Sequence, residues 1–154
     1  MRLIIFFLLV FTAFLAFTFI LTLQNDIPPW MASNILPIRC IILGGFGGSV
    51  YCLRGVYLNA SVRKQWDTAW VPWYYVRPFV SLMCGGVSYL FLRAGLLVLE
   101  SKQNPDATDL GFYALAFVAG LNVDKFITKI EDVAQATWGI EKSRTAKEST
   151  GDNK

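Results

Sequence analysis

Histidine is absent from the 154 residues of the chain. Its absence removes the commonest general base and the commonest nitrogen ligand for metals. It also makes a Ser–His–Asp or Cys–His arrangement impossible. Cysteine is scarce: Cys40, Cys52 and Cys84 all fall inside apolar runs, with no CxxC spacing. An odd number so placed argues against a disulfide framework and a zinc site, and for small apolar side chains in packed helices. Charge is scarce as well. Only 16% of residues are charged and 55% are hydrophobic, where a soluble domain carries roughly a quarter charged. The shortfall points to lipid as the solvent. The net charge of +3 is small for dedicated nucleic-acid binding and fits a preference for anionic lipid. Acids are scattered over connectors and tail, and no Walker or dinucleotide motif occurs. The sequence therefore reads as non-enzymatic, with no cofactor, no metal and no evident small-molecule substrate.

What is present is a set of apolar runs. Leu3 to Leu23 is uninterrupted and long enough to span a hydrocarbon core. It exceeds the apolar region of a secretory signal and lacks an Ala-x-Ala site, so a retained signal-anchor helix is expected over a cleaved signal. Its Phe6, Phe7, Phe11, Phe14, Phe17 and Phe19 suit lipid contact. Residues 24–34 form a connector in which Pro28-Pro29 stops any helix. Ile35 to Leu53 is the second span. Arg39 near its start is expected to snorkel outward. Gly44 and Gly48 make a GxxxG pair, a spacing that lets helix backbones touch in lipid. A phosphate-binding glycine loop has a similar look, but no strand–turn–helix context and no following Lys-Ser/Thr support it.

Between the second and third spans lies Arg54 to Pro78, a basic, aromatic hairpin. It holds Arg54, Arg63, Lys64 and Arg77 against the single acid Asp67, with Trp66, Trp70, Trp73, Tyr74 and Tyr75. Basic residues stay on the cytoplasmic side of a bilayer and Trp and Tyr settle at headgroup level. Pro72 and Pro78 are expected to break the chain before the next span. Arg63, Lys64, Trp66, Trp70 and Trp73 are candidates for contact with headgroups, as a belt that fixes topology, or with a partner protein or nucleic acid.

Phe79 to Leu99 is the expected third span. Ser81 and Gly85 form a small-xxx-small pair, with Gly86 beside Gly85, so Gly44–Gly48 and Ser81–Gly86 are the candidate surfaces on which the two helices meet. Arg93, placed inside this run, is a candidate for a polar path, paired with Glu100 or Asp109, or a snorkelling side chain. Leu110 to Val123 is short for a span and rich in Gly and Ala, so it either crosses tilted or re-enters. Phe126, Ile130, Val133, Ala134 and Thr137 recur at helical spacing through residues 124–138, one face of an amphipathic helix. Gly139 ends it, and residues 139–154 form a polar tail expected to be disordered. The expected fold is thus all-α: one polytopic membrane domain over 1–138, with four spans (3–23, 35–53, 79–99 and 110–123) and a C-terminal amphipathic helix.

The Arg-Pro pair Arg77-Pro78, the run Leu92-Arg93-Ala94-Gly95-Leu96 and the Gly111–Gly120 segment feeding an amphipathic helix together resemble the small transmembrane effectors of bacterial retron systems, which defend against phage. The resemblance rests on layout over Ile35 to Trp138. It implies a toxin-like effector, held inactive by a reverse transcriptase with its DNA–RNA product and released on infection to permeabilise the inner membrane. From the residues alone three readings stand: a membrane-perturbing effector that acts as a homo-oligomer, a non-enzymatic anchor or subunit of a larger membrane complex, and a small ion or solute channel.

Topology follows from charge. Connectors 24–34 and 100–109 hold a single basic residue, Lys102, whereas the hairpin and the tail are basic. Both termini are therefore expected in the cytoplasm of a bacterial inner-membrane protein. A reporter fused behind Lys154 should be active as a cytoplasmic fusion and silent as a periplasmic one; the reverse pattern inverts the topology.

Overall fold

The computed structural model describes residues 1–24, 32–64, 67–95 and 105–141, with backbone alone for Thr68 and residues 105–108. The protein is all-helical. Its helices are α1 (Arg2–Leu21), α2 (Ile35–Tyr57), α3 (Val71–Arg93), α4 (Pro105–Leu121) and α5 (Val123–Trp138). Helix α2 continues into one widened π-helical turn, Leu58–Val62, and a short 3₁₀ turn, Thr68–Trp70, leads into α3. Two compact units result, Met1–Asn122 and Val123–Lys154.

Helix α1, helix α2 with its π-helical extension, and helix α3 are each long and apolar enough to cross a membrane; a fourth crossing exists if α4 and α5 are taken together as one broken span. The 23 residues of α2 rise roughly 34 Å, enough for a hydrocarbon core of about 30 Å. The protein is a multi-pass membrane protein.

Helix α3 starts and ends earlier than the expected run of 79–99. It begins at Val71 and carries Pro78 inside it. Pro72 sits in the first turn, where a missing N–H costs nothing. Pro78 does delete one helical hydrogen bond, but its ring is buried in the bundle. Membrane helices tolerate such a proline because their neighbours hold the segment in place. The helix stops after Arg93, where Gly95 takes a left-handed φ of 70°.

In the first unit α2 is the hub. It packs against α1, α3 and α4, and α3 also packs on α4. Helix α1 lays Ile4 and Leu8 against Cys52, Val56 and Tyr74, so its N-terminal half lies beside the C-terminal half of α2. Phe7 and Phe11 face inward, with Phe7 at 4.9 Å from the Tyr75 ring and Phe11 at 5.4 Å from Phe79. Phe6, Phe14 and Phe17 are exposed, as lipid contact requires.

The centre of the unit is a seam where α2, α3 and α4 touch through backbone. A Cβ at Gly44 would stand 2.5 Å from the Ser81 carbonyl oxygen and 2.7 Å from Gly85 Cα. A Cβ at Gly85 would strike the Cys40 carbonyl, and one at Gly48 the Ser81 hydroxyl. The candidate residues Gly44, Gly48, Ser81 and Gly85 are thus brought together. Helix α4 joins them with Gly120, whose Cβ would strike the Gly44 carbonyl. Gly47 faces the other side of the same joint, where a Cβ would strike the Phe117 carbonyl and lie 2.6 Å from Leu121 N. Helix α4 therefore ends beside the middle of α2. Its buried Gly120 carbonyl accepts from Ser81 Oγ at 3.0 Å.

The second unit contains α5. Val123, Phe126, Ile130, Val133 and Ala134 share one face, and Asp124, Lys125 and Lys129 lie on the other. The helix ends at Gly139, with φ 69°.

Gly44→Ala should separate α2 from α3 and α4 and cost about 1–3 kcal/mol, as overpacking does, read as a lower unfolding midpoint in detergent. Gly86→Ala should cost less, since its Cβ meets only the Ile41 side chain, at 3.1 Å. Equal effects would show that the backbone seam is not what fixes the bundle.

Candidate functional site

The hairpin end of α2 and α3 carries the polar chemistry. On α2 and its π-turn, Tyr51, Arg54, Gly55, Leu58 and Asn59 recur at helical spacing and share one face. On the start of α3, Trp70, Trp73, Tyr74 and Arg77 do the same. The first set and the first three of the second, with Arg63 from the connecting turn, line a cleft of about 490 Å³.

Its walls are fixed from below. Tyr74 is buried, and Asn59 Nδ2 donates to its hydroxyl at 3.2 Å. Gly55 leaves room for that ring: a Cβ there would lie 3.3 Å from the Tyr74 hydroxyl. Trp73 meets Tyr74 edge-on at 5.2 Å and Trp70 edge-on at 6.3 Å. The π-helical turn, closed by Arg63 N–H donating to the Leu58 carbonyl at 2.8 Å, sets where Arg63 sits. Lys64 follows with a left-handed φ of 52°.

Arg77 lies behind the rear wall. It is 5% exposed, with its guanidinium carbon 4.1 Å from the Tyr51 ring centre and 4.6 Å from that of Trp73. Both rings also line the cleft. Among the described residues no Asp or Glu lines it. The hairpin's one acid, Asp67, is engaged locally, its Oδ1 accepting from Ala69 N at 2.9 Å.

Of the residues singled out from sequence, Arg63, Trp70 and Trp73 meet in this cleft, Lys64 is exposed beside it, and Trp66 lies outside the described residues. Arg93 falls in the last turn of α3, exposed, and donates to the Tyr89 hydroxyl at 2.6 Å; Glu100 is likewise outside the described residues. Arg39, expected to snorkel outward, is instead half-buried and clasps its neighbours. Its guanidinium donates to the Thr22 carbonyl at 2.5 Å, to Thr22 Oγ1 at 3.3 Å and to the Tyr113 hydroxyl at 3.2 Å, tying the end of α1 and the middle of α4 to α2. Tyr51, Asn59 and the burial of Arg77 escaped the sequence reading, which took Arg54 only as one of the hairpin's basic residues. Helical spacing carried both ways from Leu53 and onward from Trp70 would have found them.

Among the described residues no group of three His, Cys, Asp or Glu side chains is placed to hold a metal. A second hollow, about 580 Å³, lies between the other halves of α2 and α3, where Pro37, Ile41, Leu82, Met83, Gly86 and Leu90 give it an apolar lining. Comparison of the chain with family models, with curated proteins and with solved structures finds no match.

Stacking of Arg77 on Tyr51 should contribute about 0.5–2 kcal/mol of coupling. In a double-mutant cycle, Tyr51→Leu and Arg77→Gln should each lower the unfolding midpoint, and the pair by less than their sum. Strict additivity would mean that the ring does not hold the guanidinium.

Proposed function

We propose that the chain is a non-enzymatic membrane effector of a bacterium, acting on the inner membrane as an assembly of several copies once a cytosolic partner releases it. The resemblance to retron membrane effectors supplies the partner class, a reverse transcriptase with its DNA–RNA product, and the outcome, loss of the membrane barrier. The observation that carries the reading is the glycine seam. Where α2, α3 and α4 touch through backbone, water and ions have no room, so any leak has to form between copies.

The outward faces suit such an assembly. Phe6, Phe14 and Phe17 on α1 and Met83 and Leu90 on α3 are exposed, and the amphipathic α5 supplies a face able to lie in a bilayer interface. Arg93, exposed at the end of α3, would then line a polar path between protomers. The same seam favours a second reading, a passive anchor or subunit of a larger complex, because a solid bundle holds a partner at the membrane without leaking.

Induced expression without the restraining partner should collapse membrane potential, followed with a potential-sensitive dye, and stop growth. Co-expression with the partner should restore both. Normal potential and growth without the partner overturn the effector reading and favour the anchor.

A further inference from the structure

We propose that the cleft between the end of α2 and the start of α3 is a binding site for the phosphate of an anionic phospholipid headgroup. Its chemistry matches that ligand. Arg54, in the last turn of α2, and Arg63, in the turn after it, are both exposed and line a cavity to which no carboxylate among the described residues contributes. Guanidinium groups bind phosphate as two-pronged donors. The start of α3 adds to the field. That helix has no side-chain cap and no acid in its first turn, so its dipole end, flanked by Trp70 and Trp73, is positive; the nearest acid, Asp67, stands before the 3₁₀ turn and accepts from Ala69 N–H. Arg77 contributes a third positive charge from behind, through Tyr51 and Trp73.

The depth of the site selects a lipid over a soluble anion. Tyr51, Trp70, Trp73 and Tyr74 lie at the ends of two helices of spanning length, where tryptophan and tyrosine sit at headgroup level. Their rings give the cleft walls for glycerol and the first carbons of an acyl chain, while the arginines face the phosphate. The widened π-turn beside it is of a kind frequent at functional sites. This inference concerns the purified chain and stands whether or not the protein perturbs membranes.

The test titrates the full chain, in micelles of a neutral detergent, with short-chain phosphatidylglycerol, with short-chain phosphatidylcholine and with inorganic phosphate. Tryptophan emission and native mass spectrometry report binding. Phosphatidylglycerol should bind saturably, and phosphatidylcholine and inorganic phosphate at least about tenfold more weakly. Arg54→Gln and Arg63→Gln should each weaken phosphatidylglycerol about tenfold, the scale of a lost hydrogen bond to a charged group. Lys125→Gln/Lys129→Gln, on α5, should leave it unchanged. Both arginines are exposed, so folding should survive; Arg63→Gln, outside α2, decides the matter if Arg54→Gln does not fold. Equal binding of phosphatidylcholine, or an equal loss in the lysine variant, overturns the site. Inorganic phosphate binding as tightly as phosphatidylglycerol overturns the lipid assignment in favour of a soluble anion.

Discussion

The contact of Gly44 with Gly85 and Gly120 is the constraint from which the rest of the first unit follows. Lipid tails are as apolar as leucine, so burying a leucine between membrane helices gains little. Close backbone approach is what remains, through dispersion and weak Cα–H···O contacts. A side chain at any of these glycines would stand inside a neighbour's backbone, and the three helices would part. With the middles of α2 and α3 pinned together, residue size decides what happens beyond the seam. Toward the hairpin the small residues give way to Tyr51, Trp73 and Tyr74. These rings hold the two helix ends apart, and the cleft is the space they leave.

Arginine shows the second constraint. A guanidinium in hydrocarbon is costly, and the chain meets the cost in three ways. Arg93 lies at a helix end, where it reaches outward with Tyr89 as its hydrogen-bond acceptor. Arg39 finds the carbonyl and hydroxyl of Thr22 and the Tyr113 hydroxyl, and so converts a charge into a clasp on three helices. Arg77 lies against two aromatic faces, a solution open to arginine because its flat, delocalised cation is weakly hydrated. The last two hold structure together as well as avoiding lipid.

The helical class, the three strong spans and the Gly44–Gly48/Ser81–Gly85 contact were legible in the sequence because length, apolarity and small-residue spacing are local signals. The register of α3 was not. Pro78 reads as a helix breaker by the rules of water-soluble proteins, and in this bundle it lies inside a continuous helix. Moving the helix start from Phe79 to Val71 changes the meaning of two arginines at once. Arg77 passes from a topology marker on a loop to a buried cation, and Arg93 from mid-span to the final turn. Gly120 escaped notice as a partner of Gly44 because nothing local in a short Gly- and Ala-rich segment says which helix it will meet. The cleft was half legible: its tryptophans and Arg63 stood out by type, while Tyr51 and Asn59 belong to it only through helix geometry.

Ser81 shows why a small-xxx-small pattern is an incomplete description of such an interface. Ser49 and Ser88 are also buried, but each hydroxyl bonds back within its own helix, to Gly45 O at 2.9 Å and Gly85 O at 2.7 Å. Ser81 alone among these three reaches across, to Gly120 O at 3.0 Å as well as to Arg77 O of its own helix at 2.9 Å. The reason is the position of the α4 terminus. The last carbonyls of a helix have no intrahelical partner, and α4 brings its end to the middle of the bundle. There an unmet carbonyl costs far more than at a surface. Alanine at position 81 would satisfy the steric demand of Gly48 and fail the electrical demand of Gly120. Serine meets both, so the residue that lets two helices approach also permits a third to end between them.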